Sequence, residues 1–167
     1  MKSWSVRVLV CLSALILSSC SDSSSSSEEL RVGGHAPSFS LKSLDGTTVT
    51  NSSLEGNVVV LNFWATWCQP CMGEIPELKE LAASSGAKVI AIALDQDGVR
   101  TIRPFVASNS INYTVLVGDE EVFHRFNGVG IPYTLVLDRS QRVVSIYRGP
   151  VTKKSVDLDL KKIEKGV

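Results

Sequence analysis

The most informative segment of the chain is Trp64-Ala65-Thr66-Trp67-Cys68-Gln69-Pro70-Cys71, in which two cysteines flank a Gln-Pro dipeptide. Residues 58–63 before it are apolar except for Asn62, a pattern typical of a strand that is buried on both faces. Residues 69–83 carry apolar side chains three and four positions apart, which predicts an amphipathic helix. The cysteine pair is therefore expected where a central strand leads into a helix.

Cys68 and Cys71 have the spacing and the predicted position of a redox-active pair. At a helix N-terminus, unpaired backbone N–H groups and the positive end of the helix dipole favour thiolate over thiol. Cys68 is therefore predicted to attack the disulfide of a partner. Cys71 follows one turn later on the same helix face and is predicted to resolve the mixed disulfide. Pro70 suits the first turn, where a missing N–H donor costs nothing.

Two other uses of the cysteine pair are open. A structural disulfide is one, but it closes so short a loop that it restrains the unfolded chain little. A structural zinc site is the other, and such a site usually needs four protein ligands. Only His35 and His124 are available to complete it, and they lie far apart in the sequence without a motif spacing. The junction between a strand and a helix favours the redox pair over both.

The rest of the folded part has the pattern of an α/β domain. Beyond Gly33-Gly34, short β-rich runs alternate with segments of helical length. A hairpin of strands 38–41 and 47–50 is predicted around the Asp45-Gly46 turn. A helix over residues 99–107 is expected to break early at Pro104. The remaining predicted elements are a strand at 89–94, a short helix at 119–126, a hairpin of strands 133–137 and 143–147, and a final helix at 153–165.

Residues 1–19 have the three parts of a secretion signal: basic residues, a short apolar stretch and small residues before Cys20. The apolar stretch is shorter than the roughly 17 to 25 residues of a membrane-spanning helix. Leu17-Ser18-Ser19-Cys20 resembles the lipobox of bacterial lipoproteins, in which the cysteine is lipidated and becomes the new N-terminus. An ordinary cleavage site with a chance cysteine is the alternative. We predict a lipoprotein signal peptide over 1–19, a lipidated Cys20 and Ser-rich tether over 20–32, and one folded domain over 33–167.

Composition narrows the possible partners. The chain has 17 basic and 17 acidic side chains, so a nucleic-acid partner is not expected. A domain of about 130 residues buries on the order of two-thirds of the surface of its unfolded chain, so it needs no disulfide for stability. The cysteines are therefore free for chemistry. No metal or organic cofactor is expected, and the protein is expected to be a monomer.

Two separated segments, residues 58–78 and Gly130-Ile131-Pro132-Tyr133-Thr134, resemble the thioredoxin superfamily, and more narrowly its TlpA/ResA-like branch of tethered, extracytoplasmic reductases. The resemblance covers about residues 33–165 and rests on the W-x-x-W-C-x-P-C run, the helix proline Pro76 and the distant Ile-Pro. It implies a thioredoxin-like α/β fold: a central mixed sheet flanked by helices, with an N-terminal β-hairpin and a central insertion. In that family the residue matching Pro132 follows a cis peptide bond beside the disulfide, and the backbone matching Ile131 can pair with a substrate strand.

The resemblance also indicates a proton carrier and a substrate surface. Thioredoxin has a buried aspartate six residues before its first cysteine, where this chain has Asn62, which cannot titrate. Glu74, six residues after Cys68, matches a glutamate of the tethered branch and is the predicted proton carrier. A solvated carboxylate that merely suits the helix dipole is an equally open alternative. Trp64 and Trp67 suit packing roles. The residues predicted to contact substrate are Trp67, Pro70, Ile131 and Pro132.

The function that the resemblance implies is thiol-disulfide exchange, with reduction of protein disulfides as the favoured direction. The implied substrates are disulfide-bearing exported proteins, among them apocytochromes c whose haem-binding cysteines have oxidised. Such a reductant must be recharged, so a membrane protein that passes electrons outward from cytoplasmic thioredoxin is the expected donor. The expected location is the bacterial cell envelope, outside the cytoplasm, with a lipid anchor in a membrane.

Other functions found on this fold fit the sequence less well. A peroxiredoxin-like peroxidase has proline and threonine seven and three residues before its attacking cysteine, where this chain has Leu61 and Ala65. Metal delivery, as of copper, uses a C-x-x-x-C with a distant histidine, and the spacing here is one residue shorter. A non-catalytic binding module does not need both cysteines. Disulfide isomerases often carry a dimerisation domain, which nothing in this sequence supplies.

Overall fold

A computed structural model describes residues 30–166. The predicted secretion signal, the lipidation of Cys20 and most of the Ser-rich tether lie outside the described residues, and they stay predictions. Between residues 30 and 166, no helix is both long and apolar enough to cross a membrane.

Seven strands and five helices follow one another in the described part of the chain. They are β1 (Ser40–Ser43), β2 (Thr48–Thr50), α1 (Asn51–Leu54), β3 (Val59–Trp64), α2 (Gln69–Ser84), β4 (Lys88–Ala93), α3 (Val99–Ser108), β5 (Thr114–Val117), α4 (Glu120–Arg125), β6 (Tyr133–Leu137), β7 (Val143–Arg148) and α5 (Lys153–Lys165).

All seven strands form a single mixed sheet in the order β2-β1-β5-β4-β3-β6-β7. Strands β3, β4 and β5 run parallel, and the other neighbouring pairs are antiparallel. The predicted N-terminal hairpin is confirmed as β1 and β2, and the segment between α2 and β6 inserts β5 into the sheet between β1 and β4. The expected thioredoxin-like α/β architecture is therefore confirmed.

Strand β3 is the centre of the fold because its six residues are all buried. Its side chains alternate between the two faces of the sheet. Leu61 and Phe63 belong to a core that also contains α4 residues, whereas Val60 belongs to a second core with residues of α2 and α5. Asn62 shares the α2 face with Val60, so the one polar residue of the strand faces the helix that carries the cysteines.

Three details of the secondary structure differ from the predictions. Helix α3 continues through Pro104 to Ser108, so the predicted early break at this proline is wrong. Pro104 and Arg100 are both exposed, so the carbonyl group that loses its N–H partner can be hydrated. The short elements α1 and β5 were not predicted. Helix α1 exists because Thr50 and Ser53 cap each other reciprocally, and β5 exists because strands lie on both sides of it.

The sheet brings three separate segments to one edge. In the parallel β3–β4 pair, Trp64 lies opposite Ala93, so both strands end at the same level. In the antiparallel β3–β6 pair, Phe63 lies opposite Tyr133, so β6 begins where β3 ends. The cysteine motif after β3, the residues after β4 and the Ile131-Pro132 segment before β6 therefore share this edge, which is the usual place for a ligand site in an α/β sheet.

Candidate active site

Cys68 and Cys71 form a disulfide bond, with an S–S distance of 2.04 Å, at the start of α2. Cys68 is the N-cap of this helix, and its sulfur accepts a hydrogen bond from the backbone N–H of Cys71 at 3.3 Å. The side chain of Cys68 is 5% exposed, whereas Cys71 is completely buried. Only Cys68 can therefore meet an external disulfide without rearrangement, and the same N–H donor favours its thiolate after reduction.

Pro70 lies in the first turn of α2 and is exposed. The first four N–H groups of a helix have no partner inside it, so this proline removes no hydrogen bond. Pro70 instead presents an apolar ring on the surface next to Cys68. Its position is consistent with the predicted contact to substrate.

Glu74 lies one turn beyond Cys71 on the same face of α2, and its side chain is 1% exposed. Its Oε1 accepts a hydrogen bond from Asn62 Nδ2 at 2.8 Å, and its Oε2 accepts one from the Val151 backbone N–H at 2.9 Å. Asn62 Nδ2 also donates to Thr134 Oγ1 at 2.9 Å. The alternative of a solvated carboxylate is therefore wrong, because Glu74 is part of a buried polar network.

Burial raises the pKa of Glu74 from 4.5 to about 7, and the hydrogen bonds from Val151 and Asn62 only partly oppose this effect. A carboxyl group with such a pKa gains and loses a proton near neutral pH, as a general acid or base must. Asn62 cannot titrate, so Glu74 is the titratable group of this network. The two residues occupy opposite positions across the α2–β3 contact and are joined by a hydrogen bond.

The peptide bond between Ile131 and Pro132 is cis, as the resemblance implies. Pro132 is buried, and its carbonyl oxygen accepts a hydrogen bond from the Gly149 backbone N–H at 2.9 Å. Ile131 is partly exposed and packs against the apolar cluster that contains Cys68 and Cys71. The structure thus brings Ile131 to the cluster that contains the disulfide, and the buried Pro132 follows it directly before β6.

The two tryptophans of the motif have different environments. Trp64 is 3% exposed and packs against Phe105, with ring centroids 5.3 Å apart, so its predicted packing role is confirmed. Trp67 is 68% exposed, and a packing role for it is wrong. The reason is its place in the loop between β3 and α2, where it precedes the N-cap Cys68 and projects from the sheet edge. Trp67 is available for contact with a substrate.

Asp95 is a residue of the site that the sequence analysis did not identify. It is the second residue after β4 and is 5% exposed. Its carboxylate accepts hydrogen bonds from the Thr66 backbone N–H, at 3.1 Å and 3.2 Å to the two oxygens, and from the Thr66 hydroxyl group. The signal that could have found it is an acidic residue at the carboxyl end of the predicted strand 89–94, because ligand sites of α/β sheets lie at the carboxyl ends of strands.

A small cavity opens next to Trp67. Its volume is about 340 Å³, and its lining residues are Thr66, Trp67, Asp95, Gln96, Asp97 and Thr101. Among residues 30–166, no group of three or more His, Cys, Asp or Glu side chains is placed to hold a metal ion. The reactive groups that the described site contains are the Cys68–Cys71 pair and the neighbouring Glu74 carboxyl group.

Comparison with known proteins agrees with this chemistry. The model of the AhpC/TSA family matches residues 32–154. The thioredoxin-like protein YneN of Bacillus subtilis is 30% identical over 135 residues, which cover 78% of this chain and 79% of YneN. The thiol-disulfide oxidoreductase ResA of Bacillus thuringiensis is 31% identical over 140 residues, which cover 81% of this chain and 80% of ResA.

A solved structure from Chlorobium tepidum, described as a thiol:disulfide interchange protein DsbE, superposes with a TM-score of 0.74 and 27% sequence identity. The match covers 80% of this chain and 98% of that one. The strand-to-helix cysteine pair, the cis proline and these similarities agree with one another. The chain belongs to the AhpC/TSA family, within the TlpA/ResA-like part of the thioredoxin superfamily, and is a thiol-disulfide oxidoreductase.

Proposed function

We propose that this protein reduces disulfides in exported proteins outside the cytoplasm, in the manner of a cytochrome c maturation reductase. The observation that carries the proposal is the buried Glu74 on the same helix face as the buried Cys71. A buried thiol attacks poorly until it loses its proton, and a carboxyl group with a pKa of about 7 is suited to accept that proton. The site is thus equipped for the step that completes reduction of a partner.

The reaction starts with the reduced protein. The Cys68 thiolate attacks one sulfur of the partner's disulfide, and the other sulfur of the partner leaves and takes up a proton. Cys71 then transfers its proton to Glu74 and attacks the Cys68 sulfur. The partner's second sulfur leaves Cys68 and takes up the proton that Glu74 accepted, so the partner departs as a dithiol with one proton from solvent and one from Cys71. The two cysteines supply the two electrons, and the protein holds the Cys68–Cys71 disulfide.

Substrate contact is assigned to the surface around Cys68. Trp67 and Pro70 flank Cys68 in the sequence and are exposed, and Ile131, before the cis proline Pro132, packs against the cluster that contains Cys68. The backbone of Ile131 can pair with an extended segment of the partner, which brings the partner's disulfide next to Cys68. This arrangement supports a protein substrate rather than a small metabolite.

The proposal includes a location and two partners. Cys20 anchors the protein through lipid to a membrane, outside the cytoplasm of a bacterial cell. A membrane thiol-electron transporter reduces the Cys68–Cys71 disulfide after each turnover. The substrates are exported proteins with disulfides, apocytochrome c among them. The support comes from the lipobox-like segment before Cys20 and from the resemblance to the tethered reductases.

The direction of the reaction can be tested by the reduction potential of the Cys68–Cys71 pair, measured by equilibration with glutathione or dithiothreitol. We expect a value near that of thioredoxin, about −270 mV, whereas a value near about −120 mV would make the protein an oxidant. A second assay uses an oxidised peptide with the Cys-x-x-Cys-His sequence of a c-type haem site. The reduced protein is expected to open its disulfide, and a control peptide with two serines reports the background.

A peroxidase function is the second candidate, because the matching family is the AhpC/TSA family. The two positions that peroxiredoxins use before the attacking cysteine hold Leu61 and Ala65, both completely buried and without a polar side chain. They offer no hydroxyl group to a peroxide. Consumption of hydrogen peroxide by the reduced protein measures this function directly, and we expect a rate no higher than that of a free thiol.

A further inference from the structure

The loop that carries Trp67 and leads to Cys68 is tied to the neighbouring strand by one side chain. Asp95 is 5% exposed and follows β4, which is fixed in the sheet by pairing with both β3 and β5. Its carboxylate accepts the backbone N–H and the hydroxyl group of Thr66. A buried carboxylate costs free energy unless it is hydrogen-bonded, so these bonds hold Thr66 firmly in place.

The hydrogen bonds between Thr66 and Asp95 fix the residue that precedes the predicted substrate contacts. Thr66 directly precedes Trp67, and the Cys68 backbone N–H donates to the Ala65 carbonyl at 3.1 Å, which closes this loop into a tight turn. Trp67 is 68% exposed and forms a wall of the 340 Å³ cavity that Thr66 and Asp95 also line. An exposed indole with no neighbouring core would otherwise sample many orientations.

We propose that Asp95 is a positioning residue which, through Thr66, holds the Trp67 side chain beside Cys68 for contact with protein substrates. This inference rests on the proposed function, because it concerns the fit of a large partner. A Trp67 side chain that is already fixed loses less conformational entropy on binding than a mobile one. Loss of this fixation therefore weakens the complex with a protein. A small disulfide needs only the Cys68 sulfur, so its reduction does not depend on the orientation of Trp67.

The experiment compares Asp95→Asn with the unchanged chain on two substrates, in single turnovers of the reduced full chain. Insulin supplies protein disulfides, and hydroxyethyl disulfide supplies a small one. For Asp95→Asn we expect about a fivefold or larger rise in the half-saturating insulin concentration, and less than about a twofold change of the rate constant with hydroxyethyl disulfide. Protection of the Thr66 amide from hydrogen exchange is expected to fall in the same variant.

Further variants separate positioning from folding. Thr66→Ser keeps the hydroxyl donor and is expected to retain the insulin kinetics, whereas Thr66→Val loses the donor and is expected to move toward Asp95→Asn. Asp138→Asn is the matched control, since Asp138 also accepts two backbone N–H groups, those of Ser140 and Arg142, but lies at the other end of β6. If Asp95→Asn fails to fold, the two Thr66 variants carry the test.

Two results would overturn the inference. One is an Asp95→Asn variant with unchanged insulin kinetics, and the other is an equal loss with insulin and hydroxyethyl disulfide, which indicates a general structural role. A separate outcome tests the proposed function on which this inference rests. If the unchanged chain reduces hydroxyethyl disulfide but neither insulin nor any other protein disulfide, the proposed function fails, whatever the variants do.

Discussion

Replacement of Glu74 by Gln is expected to remove a pH dependence of folding stability. Burial raises the pKa of this carboxyl group from 4.5 to about 7 in the folded protein, so the folded state binds the proton more tightly than the unfolded state. The stability is therefore fully present below pH 4.5 and is lost as the pH rises through about 7. The difference between the two pKa values corresponds to about 3 kcal/mol of unfolding free energy.

The Glu74→Gln variant has no charge to bury, so the decline of its folding stability with rising pH is expected to disappear. The variant also loses a hydrogen bond at every pH, since a Gln side chain has one acceptor oxygen for the two N–H donors of Asn62 and Val151. That loss costs about 1 to 3 kcal/mol. We therefore expect the variant to be less stable than the unchanged protein at pH 4.5 and to lose much of that deficit by pH 8.

The assay is urea unfolding of the oxidised protein at a series of pH values from 4 to 8.5, with the stability difference between the two proteins plotted against pH. Other titrating groups cancel in this difference. Glu80→Gln, at an exposed position on the same helix, is the control for removal of a carboxylate outside the buried network. A flat line for Glu74→Gln would refute the conclusion that this buried carboxyl group has a raised pKa.

Three further variants test other parts of the structure. Cys71→Ser is expected to accumulate the mixed disulfide with a substrate, visible as a mass adduct that dithiothreitol removes, because the resolving thiol is absent. Asn62→Ala should cost about 1 to 3 kcal/mol in urea unfolding, because a Glu74 oxygen loses its buried donor, and should raise the pKa of Glu74 further. Gly128→Ala should cost about 1 to 3 kcal/mol or more, since its Cβ would lie 2.1 Å from the Phe123 ring; an unchanged melting temperature would contradict this.

The sequence was sufficient to predict the central part of the fold. An apolar run, a cysteine pair and a helical pattern in that order fixed β3, the N-terminus of α2 and the place of the disulfide. These features are local, so spacing alone reveals them. The Ile-Pro segment could be connected to the site only by resemblance, because nothing in its own neighbourhood indicates that β6 runs beside β3.

The parts that the sequence did not reveal depend on contacts between distant segments. Strand β5 has only four residues and is stabilised by β1 and β4, which a local pattern cannot show. Helix α3 continues past Pro104 because that position faces solvent. The burial of Glu74 was left open, since its partner Val151 is 77 residues away, and Asp95 was missed because Thr66 is 29 residues away.

The difference in exposure between the two sulfurs has a consequence for oxidative damage. Peroxides and other oxidants from solvent can reach Cys68, whereas Cys71 is completely buried in the described structure. Oxidation of Cys68 gives a sulfenic acid, which condenses with a nearby thiol to a disulfide before it proceeds to the irreversible sulfinic and sulfonic acids. Cys71 is that thiol, so an oxidant attack returns the pair to the same disulfide that normal turnover produces. Any reductant of the Cys68–Cys71 disulfide therefore also reverses this oxidation.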